Sequence, residues 1–329
     1  MSVSAQAQQL RHAVTTCIDT GPVIVGCSGG PDSLALADAA AWAVPQLGGS
    51  LTVVVVDHGL QHDSAQVAQR AADACRAIGI DDVEIRRVQV GTDGGPEAAA
   101  RTARRAALLE VAQGRGSDQI LLAHTLDDQA ETVLLRLARG SGARSLSAMR
   151  SCDAPWHRPF LEIPRTIVHQ VAKERFEPLG FTPWDDPHNH DPHFARVRVR
   201  RGMDSLESDL GPGLAGNLAR SARLLADDAD ALDAWAHGEV ERIVESREGS
   251  CGASVAALSE LPRAVRTRVI RLMHQSLIGI HEDLTFDHIQ QVEATISRWK
   301  GQGPVSLPGE ITARVECGRL TLIAHSRES

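Results

Sequence analysis

The sequence predicts an α/β fold, a parallel twisted sheet with helices on both faces, followed by a mainly helical second domain. Three observations carry this expectation. Over the first 140 residues, short β-branched or apolar runs alternate with helical patterns. A tight loop, SGGPDS at 28–33, follows the first run and opens a helix. Beyond Gly140 the alternation loosens and long amphipathic stretches take over. With 329 residues, the chain is long enough for two domains.

Taken in order, the runs at 23–27, 51–57, 83–90 and 119–124 read as strands, and 32–42, 64–78, 96–113 and 127–139 read as the helices that follow or separate them. In parallel sheets ligands bind beyond the carboxyl ends of the strands, which selects 28–33, 57–59 and 124–128 as one neighbourhood. A helix is expected over 165–177. DLGPG at 209–213 is a turn-rich break and the expected linker, which gives domains of 1–208 and 214–329. Helices are expected over 217–244, 264–277 and 285–299. The final PGEITARVECGRLTLIA alternates around Cys317 and Gly318 like a small hairpin.

Composition narrows the function. Hydrophobic residues at 43% and charged residues at 23% are ordinary for a soluble globular protein. No apolar run approaches the roughly 20 residues of a membrane helix, and MSVSAQAQQLRH lacks a signal pattern, so a cytoplasmic protein with no membrane partner is expected. The six cysteines form neither a CxxC pair nor a framework, which points to reduced thiols. A net charge of −8 argues against indiscriminate nucleic-acid binding, but 136–201 holds twelve Arg or Lys against seven Asp or Glu. An acidic chain thus keeps one basic face.

The loop at 28–33 suits phosphate. Gly29 and Gly30 let a ligand approach the backbone, Pro31 fits a first helical position, and Ser28 and Ser33 add donors at a helix N-terminus. It is not a Walker A loop, which needs a lysine before its Ser or Thr; the first 172 residues contain no lysine at all. That absence also excludes a lysyl-nucleotide intermediate in this half. Asp32 would repel bound polyphosphate unless a hard cation such as Mg²⁺ lay between them. HNHDPH at 188–193 invites a zinc reading, but no cysteine accompanies it.

SGGPDS resembles the pyrophosphate loop of the PP-loop ATPases, the N-type ATP pyrophosphatases of Rossmann-like fold. VDHGL at 56–60, EAAARTAR at 97–104, AHTLDDQAET at 123–132, RPFL at 158–161, DPHN at 186–189 and FARVRVR at 194–200 follow in an order similar to that of the tRNA(Ile)-lysidine synthase family. The chain length resembles the short two-domain form. Family patterns have tyrosine where Arg105 stands, serine where His188 stands, and a proline near Ser205.

The resemblance implies a ligase that uses ATP to adenylate carbon 2 of the wobble cytidine in isoleucine tRNA with a CAU anticodon. Pyrophosphate leaves; free L-lysine then displaces AMP to give lysidine. It implies ATP contacts from Ser28, Gly29, Gly30, Pro31, Asp32, Ser33, Asp57 and His58, and Mg²⁺ on Asp32. Asp32, Arg104, His124 and Asp128 are implied as catalytic, and Glu131, Asp186, Asn189, Arg196, Arg198 and Arg200 as lysine or tRNA contacts. Arg101 and Arg105 are expected to be solvated, Asp127 to be an N-cap, and 194–200 to be either an exposed strand edge or the start of a helix. A homodimer is left open by the resemblance. The alternatives are a PP-loop cytidine thiolase, which usually brings paired cysteines, and a non-catalytic nucleotide-dependent RNA-binding module.

Overall fold

A computed structural model describes residues 3–59, 63–91, 95–278, 284–298 and 301–325. Leu60 at the end of the VDHGL motif and Trp299 at the end of the last expected helix lie outside them. The chain forms two compact units, one running to Ala226 and the other starting at Asp227.

In the first unit the elements are α1 (Ala5–Thr15), β1 (Pro22–Cys27), α2 (Pro31–Gln46), β2 (Ser50–Asp57), α3 (Ser64–Ala77), β3 (Val83–Arg87), α4 (Pro96–Arg115), β4 (Ile120–Leu121), α5 (Leu126–Leu137), α6 (Ala143–Leu146), β5 (Cys152–Asp153), β6 (Trp156–His157), α7 (Arg165–Phe176) and α8 (Ala195–Leu210). Strands run β3-β2-β1-β4-β6-β5, parallel except for β5 against β6. Period-two alternation divides β1 between two cores. Val23, Val25 and Cys27 pack with α1, α2, α3 and α7, whereas Ile24 joins Val54, Ile120, Leu108 and Val111 on the other face. Both faces are covered, which is why these strands read as continuous apolar runs.

The strand order reverses at β1, with β2 on one side and β4 on the other, so a crevice opens beyond the carboxyl ends of these three strands. α2 packs on the core through small residues, Ala35, Ala37, Ala39, Ala40 and Ala43, all buried. Its buried Asp38 accepts a hydrogen bond from Arg175 Nε at 2.7 Å, which ties α2 to α7. The strands expected over 83–90 and 119–124 are shorter than their patterns. β4 pairs with β1 and β6 over only two residues each, so little of that run is held in a ladder. Residues 195–210 form helix α8, not a strand edge, and the less exposed positions 196, 199, 200, 203 and 207 step by three and four, as one face of a helix does.

The turn at 211–213 precedes α9 (Leu214–Ile243), and the boundary between the units falls inside this helix. The second unit adds β7 (Glu245–Arg247), β8 (Ser250–Ser254), α10 (Val255–Glu260), α11 (Arg263–Ile278), α12 (Phe286–Ser297), β9 (Val305–Leu307), β10 (Ile311–Glu316) and β11 (Arg319–Ala324). The expected hairpin is β10–β11, with Cys317 at φ +48° and Gly318 at φ +72° giving the two left-handed residues that a tight hairpin turn needs. It is only the middle of a five-stranded antiparallel sheet, β7-β8-β11-β10-β9. The flanking strands were missed because three-residue pieces such as β7 and β9 are too short to show alternation. Val265, Val269, Ile270 and Met273 of α11 pack on Leu320 and Leu322, and a buried Arg266–Glu293 pair at 2.7 Å joins α11 to α12.

Candidate functional site

The crevice at the strand ends is a cleft of about 1050 Å³ in the first unit. Ser28, Gly30, Pro31, Asp32 and Ser33 line it after β1, Asp57 and His58 after β2, and His124 after β4. Arg104 reaches in from α4, Asp128 from α5, Asp186 and Asn189 from the 183–190 segment, and Arg196 and Arg200 from α8. Gly29, Glu131 and Arg198 stand outside the lining.

The phosphate loop is held open by its own hydroxyls. Ser33 Oγ is buried, accepts from the Ser28 amide at 3.1 Å and donates to the Gly30 carbonyl at 3.0 Å, and no side chain caps the N-terminus of α2. That leaves the helix end, with its partial positive charge, directed at the cleft. Gly29 has φ +82°, and a Cβ there would meet Ala71 Cβ at 2.9 Å; its carbonyl accepts from the Trp184 amide at 2.9 Å. Gly29→Ala should therefore cost about 1–3 kcal/mol of stability, read as a lowered melting temperature, and weaken ATP binding as the loop shifts.

A cationic wall faces the loop. Arg101, Arg104 and Arg105 stand three and four apart on α4 and so share one face. This corrects the expectation that Arg101 and Arg105 are solvated. Arg101 lines the cleft, and burial, then Arg196, Arg104, Arg105 and Arg158, push its pKa down to about 10. Arg105 stacks 4.4 Å over the Trp156 ring, a role that a tyrosine in its place would fill by aromatic packing. Arg104 is the most deeply set; burial, then Arg196 and Arg105, lower its pKa, and its Nε is shut off from solvent with no hydrogen-bond partner. Crowded buried guanidinium groups are a site for an anion.

A second cluster pairs carboxylates of α5 with arginines of α7 and α8. Thr125, not Asp127, is the N-cap of α5: Asp128 Oδ2 accepts from the Thr125 amide at 2.8 Å and its hydroxyl at 2.9 Å. Asp127 instead accepts from the Arg165 amide at 2.8 Å, at the start of α7. The Arg165 guanidinium donates to Asp128 Oδ1 at 2.9 Å and to Glu131 Oε1 at 3.2 Å, while Arg200 Nε donates to Glu131 Oε1 at 2.8 Å. Glu131 is only 2% exposed. Burial pushes the Asp128 carboxyl up, but Arg165, His124 and the Thr125 donors outweigh it and hold it below the usual carboxylate range. Arg165 and His169, both in the lining, carried no sequence signal beyond their place in an ordinary amphipathic helix.

His124 feels both clusters. Burial, opposed by Asp128 but reinforced by Arg104, Arg101 and Arg158, pushes its pKa down to about 3, and its Nδ1 has no hydrogen-bond partner. It is a neutral ring at neutral pH. Burial and Arg104 likewise lower the His58 pKa. Because the unfolded chain protonates His124 near pH 6.5 and the folded chain only near 3, stability is lost as pH falls between those values, by about 2 kcal/mol at pH 5. His124→Gln should flatten that part of the melting-temperature profile; an unchanged slope would mean the ring is solvated.

The histidine loop is braced by its own carboxylates. Asp186 Oδ1 accepts from the His188 amide at 3.0 Å, His190 pairs with Asp185 at 2.7 Å, and His193 pairs with Asp191 at 2.7 Å. Arg198 donates to the carbonyls of Pro192 and His193, and Arg201 to that of His190. Among the described residues no group of three or more metal-ligating side chains is assembled.

Fold and site define a nucleotide-using PP-loop protein, and residues 2–205 match the PP-loop domain model. Residues 254–321 match the TilS substrate binding domain. A tRNA(Ile)-lysidine synthase of Thermobifida fusca is 48% identical over 303 residues, 92% of this chain and 91% of the relative. One of Salinispora tropica is 46% identical over 98% and 96%, and one of Mycobacterium tuberculosis 45% over 90% and 87%. Among solved structures, the U34-tRNA thiolase of Methanococcus maripaludis has a TM-score of 0.55 at 23% identity, covering 67% of this chain and 78% of its own, a likeness of fold. The chain belongs to the tRNA(Ile)-lysidine synthase family, ATP-using ligases that modify tRNA.

Proposed function

We propose that this chain ligates free L-lysine to carbon 2 of the wobble cytidine in CAU-anticodon isoleucine tRNA, through an adenylated cytidine made from ATP. The observation that carries the reading is a cleft that gathers the phosphate loop, the crowded Arg101, Arg104 and Arg196, a neutral imidazole and the Asp128 carboxylate. ATP and tRNA bring anions, and lysine brings an ammonium group. The cytidine carbonyl oxygen attacks the α-phosphate, the pyrophosphate leaves toward the uncapped N-terminus of α2, and the lysine amine then attacks carbon 2 to release AMP.

Arg104, with Arg196 and Arg101, stabilises the charge that develops on the α-phosphate, strengthened by burial. His124 is too weak a base to hold a proton at neutral pH, so its part is to offer the base a neutral hydrogen-bond partner. Asp128 and Glu131 form the lysine side, with Glu131 fixed by Arg165 and Arg200. Asp186 shapes the turn that presents Asn189 to the cleft. Arg196 and Arg200 face tRNA or lysine, whereas Arg198 holds the loop. Asp32 Oδ1, shielded from solvent and without a hydrogen bond, fits a Mg²⁺ ligand. Such an ion neutralises polyphosphate charge when bound.

The test is incubation with ATP, Mg²⁺, labelled lysine and CAU-anticodon isoleucine tRNA. Incorporated lysine with stoichiometric AMP is the expected result. ATP consumption without lysine transfer would overturn the reading. Methionine tRNA, which shares the anticodon, is the control for selectivity.

A further inference from the structure

His169 has no place in the reaction just described. It lies on α7 four residues after Arg165, on the same face, and lines the cleft beside the phosphate loop. Its Nε2 is 3.1 Å from Asp32 Oδ1. The two atoms are not aligned for a hydrogen bond, both are shut off from solvent, and neither has another hydrogen-bond partner. An imidazole N–H turned toward a carboxylate would gain about 1 kcal/mol or more. The two atoms meet as an ion-pair contact without a hydrogen bond, and with Nε2 unprotonated their lone pairs form half of a cation cradle. Adjacent ligands of an octahedral ion, each about 2.1 Å from it, lie about 3.0 Å apart. The observed spacing agrees with that.

We propose that His169 is a second protein ligand, beside Asp32, for the divalent cation that the nucleotide phosphates bring into the cleft. The inference rests on the reading that ATP binds at 28–33. One carboxylate and one imidazole leave the remaining positions to phosphate oxygens and water, the usual way such an ion is shared between protein and nucleotide. A nitrogen ligand also shifts preference from Mg²⁺ toward first-row transition ions. The site should therefore favour Mn²⁺ over Mg²⁺ more than an all-oxygen site would.

The experiment uses the full chain with Mn²⁺ and α,β-methylene-ATP. Loss of the free Mn²⁺ electron paramagnetic resonance signal reads binding of the metal–nucleotide complex. Electron spin-echo modulation of the bound ion then reads nitrogen ligands, and protein labelled with ¹⁵N-histidine separates imidazole from adenine nitrogen. The expected result is a histidine coupling that vanishes in His169→Ala, with Mn²⁺ affinity of the complex weakened about tenfold or more. The side chain is 44% exposed, so the variant should fold. Bound Mn²⁺ with no histidine coupling, or with a coupling that survives in His169→Ala, overturns the role of His169 while leaving the ATP reading intact. No binding of the Mn²⁺–nucleotide complex to the wild-type chain overturns the ATP reading, and this inference with it.

Discussion

Replacing Arg104 with alanine should lower AMP formation on CAU-anticodon isoleucine tRNA by about 10³-fold while leaving tRNA affinity nearly unchanged. The argument is electrostatic. Arg104 is held among Arg101, Arg105 and Arg196, with its Nε denied both solvent and a hydrogen-bond partner, so the folded chain bears a desolvation cost and like-charge repulsion there. Such an arrangement gains only when an anion arrives. The melting temperature of Arg104→Ala should therefore stay the same or rise, as is common where stability is traded for activity. Arg104→Lys should recover little, because a point charge cannot give the α-phosphate the paired donors of a planar fork. Steady-state kinetics and calorimetry on the same preparations check both halves. A fall in activity together with a fall in melting temperature would make Arg104 a structural support instead.

Much of this site was legible in the sequence, for an identifiable reason. SGGPDS directly follows β1, Asp57 ends β2 and His124 comes three residues past β4, so strand positions alone brought them to one edge of the sheet. The α/β rhythm was equally readable, since a sheet covered on both faces demands continuous apolar strands. What could not be read is what depends on tertiary partners. Arg101 looked like its solvated neighbours until α4 turned the 101, 104 and 105 face toward the cleft. Asp127 is the cap that local sequence suggests, but Arg165, 38 residues further on, engages it and Thr125 caps the helix instead. The arginines of FARVRVR looked equivalent; the helix separates them into Arg196 and Arg200 on the cleft and Arg198 on the loop carbonyls. The five-stranded sheet of the second unit was reduced to one hairpin because its outer strands are held by register with their neighbours, not by pattern of their own.

Arg165→Met should destabilise the chain by about 3–5 kcal/mol and abolish lysine transfer, although Arg165 is not expected to touch ATP. Methionine keeps much of the buried stem and removes only the charge. Asp128 would keep its two Thr125 donors and Glu131 would keep Arg200, which argues for the lower end of that range. Asp128 would nonetheless face the cleft without the guanidinium that pairs with it. The pH dependence tests this cause. Asp128 is held below the ordinary carboxylate range, so the stability it contributes is present above that range and is lost as pH falls through its lowered pKa. Without Arg165 the lowering shrinks, so the gap in melting temperature between wild type and variant should be widest at neutral pH and narrow below about pH 4. Adding Glu131→Gln to Arg165→Met should restore part of the stability, because one buried charge is gone, but none of the lysine transfer. A double-mutant cycle measures that coupling. If Arg165→Met melts like the wild type yet cannot transfer lysine, the guanidinium contacts a substrate directly, and the carboxylate cluster holds its shape without it.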